Sequence, residues 1–98
     1  MQSLQLARAI VYIVRCADGT LYTGYARDPR ARERAHNSGR GAKYTAGRRP
    51  VRLVYQEAFR SVGKALAREY GVKQLTRAQK DRQCETTPPL NQHFQEQR

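Results

Sequence analysis

The sequence has no tryptophan, one methionine, two cysteines and two histidines, and among its 98 residues only 8 are acidic. Each scarcity excludes something. Cys16 and Cys84 are too few and too isolated for a structural zinc site, which needs four ligands, or for the disulfide framework that staples small secreted domains. A reducing cytosol is the expected compartment. The apolar stretch Ile10 to Val14 falls far short of the roughly 20 residues that span a bilayer, and no signal-peptide core or cleavage site precedes it. Neither membrane insertion nor export is expected. With 98 residues, 39% of them hydrophobic, the chain can bury one modest core but not two.

Positive charge is what the chain has in excess. Nineteen Lys and Arg against the 8 acids give a formal net charge of +11, a self-repulsion that a polyanion relieves. The bland alternative is a solvated basic face. The arginines concentrate between Arg27 and Arg52, and their planar guanidinium groups suit bidentate contact with phosphate. Nucleic acid is therefore the expected partner.

Ala9 to Arg15 is β-branched and aromatic and reads as a buried strand, Ala17-Asp18-Gly19 as a turn, and Thr20 to Gly24 as a second strand. A three-residue loop with Gly19 in the left-handed region sets Val14 opposite Tyr22. Tyr12 and Tyr22 then lie diagonally on one face, about 7–8 Å apart at Cα, close enough for both phenols to reach one phosphate. Asp28-Pro29 opens a helix that Gly39 closes, with Arg32 and His36 one turn apart on a shared face. Gly39 to Pro50 reads as a basic loop. It lacks the glycine spacing of a P-loop, and is expected instead to close over a nucleic-acid backbone. Val51 to Phe59 reads as a third strand, alternating Val51, Leu53 and Tyr55. Ser61 caps a helix whose apolar stripe, Val62, Ala65 and Leu66, runs on to Glu69, and the capping box Thr76 to Gln79 opens a last helix to about Gln83. The expected organisation is a polar leader over residues 1–8, one domain over 9–84 and a flexible tail over 85–98, with no internal repeat.

Glu69 is the most informative residue, because a carboxylate facing the core needs a compensating partner. An arginine in a structural ion pair is one; a divalent cation is the other. Magnesium takes one or two protein carboxylates and fills its other positions with water and substrate phosphate, so a single Glu suffices. Tyr12 and Tyr22 also have two readings, as strand residues packed on a helix or as ligands of a phosphate. Arg32 and His36 are either a solvated helix face or part of the same site. His93, in the tail, is expected to be inert.

Taken in order, these residues resemble the GIY-YIG nuclease superfamily, in particular its small stand-alone bacterial members. Ile10-Val11-Tyr12 and Tyr22-Thr23-Gly24 stand where the two half-motifs would be. The likeness continues through Arg32, His36-Asn37, Gly41-Ala42-Lys43-Tyr44-Thr45 with Arg48-Arg49-Pro50, and Leu53-Val54-Tyr55. It ends with Arg68-Glu69 and Lys73-Gln74-Leu75-Thr76-Arg77, covering about Ala9 to Arg82. Departures are Ile10 in place of the leading glycine, Thr23 within the second half-motif, Ala31 where relatives often carry arginine, Gly71 inside the Glu69 helix, and a late asparagine for which only the distant Asn91 is available.

The resemblance implies an α/β domain with a small three-stranded antiparallel sheet flanked by helices, and a one-metal endonuclease. On that likeness Tyr12, alone or with Tyr22, would draw a proton from the attacking water. Arg32 would stabilise phosphoryl charge, Glu69 would hold one Mg²⁺ or Mn²⁺, and His36, Lys43 or Tyr44 would orient or polarise the phosphate. Tyr25, Arg27, Asn37 and Arg40, with Lys43, Thr45, Arg48 and Arg49, are expected to contact nucleic acid. With no separate module for reading a long duplex site, single-stranded or branched DNA is the expected substrate, unpaired bases stacking on Tyr25 and Tyr44. The competing reading is a non-catalytic nucleic-acid-binding module. Oligomeric state is not legible in the sequence.

Overall fold

The structure is a computed structural model that describes residues 9–86. The expected leader, the tail from residue 87, and with it Asn91 and His93, lie outside the described residues. In chain order the elements are β1 (Ala9–Arg15), β2 (Leu21–Ala26), α1 (Pro29–Asn37), α2 (Lys43–Ala46), β3 (Arg52–Phe59), α3 (Val62–Lys73) and α4 (Arg77–Thr86). The strands form one antiparallel sheet in the order β2-β1-β3. Among the described residues no helix is long and apolar enough to cross a membrane.

The β1–β2 hairpin follows from its turn chemistry. Cys16 donates its N–H to the Thr20 carbonyl at 2.8 Å and Gly19 donates to the Cys16 carbonyl at 2.9 Å. Gly19 sits at φ +86°, where a side chain would be strained. The Asp18 carboxylate accepts from the Thr20 N–H and hydroxyl, at 3.1 and 2.6 Å. The loop thus holds three residues, and Val14 pairs with Tyr22 and Tyr12 with Gly24. β2 continues two residues past its expected end, because Tyr25 and Ala26 still have partners in Val11 and Ile10.

Pleating gives the sheet two faces. Ala9, Val11 and Ile13 pack with Tyr55 against Ala65 and Val72 of α3, while Tyr12, Val14 and Cys16 pack with Val51 and Leu53 on the other side. Simple alternation would put Leu53 and Tyr55 on one face. They part because Ile13 pairs with Tyr55 and Val14 with Leu53, so Val54 is an extra residue on β3, and a bulge of this kind rotates the strand by one position.

The helices form largely where their capping residues direct, with three differences. Asp28 accepts from the Ala31 N–H at 3.1 Å, Ser61 from Lys64 at 3.1 Å, and Thr76 and Gln79 cap each other at 2.9 and 3.2 Å. The stretch expected to be all loop contains α2, one helical turn. The inward line of α3 is Ala65 and Val72; Val62 and Leu66 of the expected stripe are each 45% exposed. Helix α4 runs to Thr86, so Glu85 and Thr86 are helical. A clamp ties α3 to β3: the Tyr55 hydroxyl donates to Glu57 Oε1 at 2.5 Å and Arg68 Nε donates to the same oxygen at 3.0 Å.

Candidate active site

The site begins with a glycine. Because Tyr12 and Gly24 are opposite partners, their Cα–Cβ directions share a face, and the Tyr12 ring crosses β2 at Gly24. A Cβ added there would stand 2.5 Å from the Tyr12 hydroxyl oxygen and 2.6 Å from Cζ. β2 is an edge strand, so the phenol is carried toward the margin of the sheet. The ring is nonetheless 1% exposed.

His36 meets it there. Helix α1 brings the imidazole, 0% exposed, to 2.9 Å from the Tyr12 hydroxyl through Nε2. The other ring nitrogen, Nδ1, lies 2.8 Å from the Thr45 hydroxyl of α2. That hydroxyl has its own acceptor, the Ala42 carbonyl, at 3.1 Å. Gly41 leaves the space for this approach, since a Cβ at position 41 would overlap the His36 ring. His36 is thus not on a solvated face, and burial, aided by the Arg32 charge, pushes its pKa below the ordinary 6.5. A buried imidazole is neutral at pH 7 under these influences.

Four other expected residues gather around this pair. The Tyr22 ring meets His36 edge-on, with centroids 5.3 Å apart, and stacks on Tyr44 at 5.9 Å. Exposed Arg32 stands beside the Tyr12 phenol and pulls its pKa down. Burial, the larger effect, together with the charges of Tyr22 and Glu69, holds that pKa above 10.0. Glu69 comes from α3, its side chain 17% exposed and 3.2 Å from Lys73 Nζ. Its influence on Tyr12 places it within electrostatic reach of the phenol. Tyr12, Tyr22, Arg32, His36, Tyr44 and Glu69, from five elements, therefore converge, and Lys43 is exposed at the start of α2.

Among the described residues no cluster of three His, Cys, Asp or Glu side chains could cage a metal. Glu69 offers hard carboxylate oxygens, a donor chemistry that fits magnesium or manganese completed by water and phosphate rather than zinc. An open groove of about 280 Å³ is lined by Leu21, Tyr22, Thr23, Tyr44, Lys73 and Lys80.

The residues expected to touch nucleic acid divide. Arg27 and Arg40 are exposed. Arg49 is exposed, yet its guanidinium donates to the Ala46 and Asn37 carbonyls at 2.9 and 3.3 Å. Arg48 pairs with Asp18 at 3.1 Å and lies 3.9 Å over the Tyr44 ring. With Tyr22 stacked on it as well, the Tyr44 ring has two neighbours while the residue stays 39% exposed. Tyr25 packs against the Val11–Tyr55 core. Asn37 clamps β3 to α1 through the Val51 N–H at 2.7 Å and the Val51 carbonyl at 3.0 Å. Thr45, 0% exposed, faces His36 and not solvent. Sequence reasoning had no period or cap by which to tell these internal roles from surface ones; the one local hint is Gly41, a glycine where the chain must pass close to something.

Comparison with known proteins gives the family and the fold. The family model described as the GIY-YIG catalytic domain matches residues 8–82. A UPF0213 protein of Staphylococcus aureus is 60% identical over 70 residues, covering 71% of this chain and 85% of the relative. The solution structure of a UPF0213 protein from Bacillus halodurans is similar with a TM-score of 0.54 and 46% identity, covering 84% of this chain and 88% of that one. The solution structure of a protein from E. faecalis gives the same TM-score at 43% identity, covering 79% and 82%.

Proposed function

From the premise that the chain belongs to the GIY-YIG nuclease family, we propose that it is a divalent-metal-dependent endonuclease that hydrolyses DNA phosphodiester bonds, with Tyr12 as general base. The observation that carries the reading is the buried Tyr12–His36 hydrogen bond of 2.9 Å beside Arg32 and Glu69. A phenol whose pKa stands above 10.0 is a poor base on its own. Bonded to a neutral imidazole it has a route for its proton. As water attacks phosphorus, the water proton passes to the Tyr12 oxygen while the phenolic proton passes to His36 Nε2. The new P–O bond forms as the bond to the departing oxygen breaks, that oxygen takes a proton from solvent, and the relay then runs in reverse, His36 returning its proton to the Tyr12 oxygen as the phenol gives one up on the substrate side.

Arg32, beside the Tyr12 phenol, would neutralise charge developing on the phosphoryl oxygens, the electrostatic contribution that dominates such sites. Glu69 would hold the cation, which when bound supplies positive charge to the phosphate and its departing oxygen. Lys73 balances the carboxylate until then. Lys43, Arg27 and Arg40 add cations to the approach. The groove along β2, open to solvent, suits single-stranded or branched DNA.

The test is direct. Purified protein is incubated with labelled single-stranded, duplex and branched DNA, with magnesium or manganese and with chelator. Metal-dependent nicking, strongest on single-stranded or branched substrates, is expected. Salt-sensitive binding without product at any metal concentration would make the chain a nucleic-acid-binding module that has kept the fold.

A further inference from the structure

We infer that Thr45 is a positioning residue that fixes the tautomer of His36, and so decides which way the Tyr12–His36 hydrogen bond points. The inference rests on the nuclease reading only for its effect on cleavage. Its basis is a donor count along one chain of contacts. The Thr45 hydroxyl carries a single hydrogen, which we place on the Ala42 carbonyl, 3.1 Å away and able only to accept. Toward His36 Nδ1, 2.8 Å away, the same oxygen can then only accept. Nδ1 therefore carries the imidazole proton, Nε2 is left with its lone pair, and the Tyr12 hydroxyl, 2.9 Å from Nε2, donates.

Direction matters to the chemistry. When Tyr12 donates to His36, the phenol oxygen keeps its free lone pairs for the attacking water and the imidazole is ready to accept. In the opposite tautomer Nε2–H points at the phenol oxygen, which then faces water with a proton and no acceptor behind it. All three side chains are at most 1% exposed, so water cannot substitute for the Thr45 oxygen without opening the packing. The ring is also closely packed: Tyr22 lies edge-on at 5.3 Å, and the chain passes close to its Nδ1 side at Gly41, where a Cβ would overlap it.

The experiment reads tautomer and cleavage separately. The full chain carrying His93→Gln, so that His36 is its only histidine, is labelled with ¹⁵N-histidine, and long-range ¹H–¹⁵N correlations are recorded above the imidazole pH range. The expected spectrum has a protonated Nδ1 and an unprotonated Nε2. Thr45→Val, similar in shape but without an acceptor, should invert that pattern and lower metal-dependent cleavage about tenfold or more, the range in which partners that orient a functional histidine act. Thr45→Ser should restore both. A wild-type spectrum showing Nε2–H overturns the inference whether or not the valine variant folds, as does an inverted Thr45→Val spectrum with undiminished cleavage. Wild-type protein that cuts no substrate defeats the nuclease reading instead, while the spectra still decide whether Thr45 governs the imidazole.

Discussion

Gly24→Ala is a single added methyl group with a large expected effect. The new Cβ would stand 2.5 Å from the Tyr12 hydroxyl oxygen, about 0.9 Å inside ordinary van der Waals contact, so the ring has to move by about that distance. Its bond to His36, 2.9 Å long, would stretch past hydrogen-bonding range. Overpacking of this kind costs about 1–3 kcal/mol, and a lost buried hydrogen bond about 1 kcal/mol more. A total of about 2–4 kcal/mol lowers Tm by roughly 10–25 °C in a domain of this size, short of unfolding it at room temperature. Thermal denaturation followed by circular dichroism measures the loss, and a nicking assay well below Tm should show cleavage reduced at least tenfold. The control is the same substitution with Tyr12→Leu. Once the ring is gone, alanine should be neutral or stabilise by about 0.4–1 kcal/mol, as a Gly→Ala change does where space and φ allow. Equal costs in both backgrounds would show that Tyr12 does not cross the strand at Gly24.

Other consequences follow from the same contacts. Because burial lowers the pKa of His36 below its ordinary 6.5, the unfolded chain binds the extra proton first. That contribution to stability is complete above pH 6.5 and is lost as pH falls below it; denaturant midpoints across this window should decline for the wild type and less for His36→Gln. Asn37→Ala removes both bonds to Val51 and should destabilise by about 1–3 kcal/mol, while the salt dependence of DNA binding stays unchanged; a reduced slope would return Asn37 to the nucleic-acid surface. Glu57→Ala opens the Tyr55–Arg68 clamp, which is partly exposed, and should cost about 1 kcal/mol in chemical denaturation without altering cleavage.

The fold was largely legible because its signals are local. Asp18-Gly19, Asp28-Pro29, Ser61 and the Thr76–Gln79 box each determine a turn or a helix start within four residues, and the structure follows them. The β1–β2 register followed from one loop length, and with it the shared face of Tyr12 and Tyr22. What was hidden is long-range. The bulge at Val54 arises from pairing with β1, and no pattern within β3 announces it. Alternation therefore misplaced Tyr55. The exposure of Val62 and Leu66 depends on which side of α3 the sheet occupies, and Ala65 and Val72 satisfy helical spacing equally well.

The candidate site divides in the same way. Residue types and order brought out Tyr12, Tyr22, Arg32 and Glu69, because phenols, a guanidinium and a carboxylate have recognisable chemistry. Thr45 and Asn37 are expected, alongside the resemblance, at a nucleic-acid surface. Their hydroxyl and amide in fact hold internal partners, which only tertiary contacts reveal.

Glu69→Ala, compared with wild type for both DNA binding and cleavage, tests the central claim most directly. The substitution removes the carboxylate whose charge reaches Tyr12 and also frees the Lys73 ammonium, so affinity for a labelled oligonucleotide should be unchanged or slightly higher. Metal-dependent cleavage should disappear. A variant that folds, binds and still cuts at the wild-type rate would contradict the role given to this carboxylate and the one-metal reading with it.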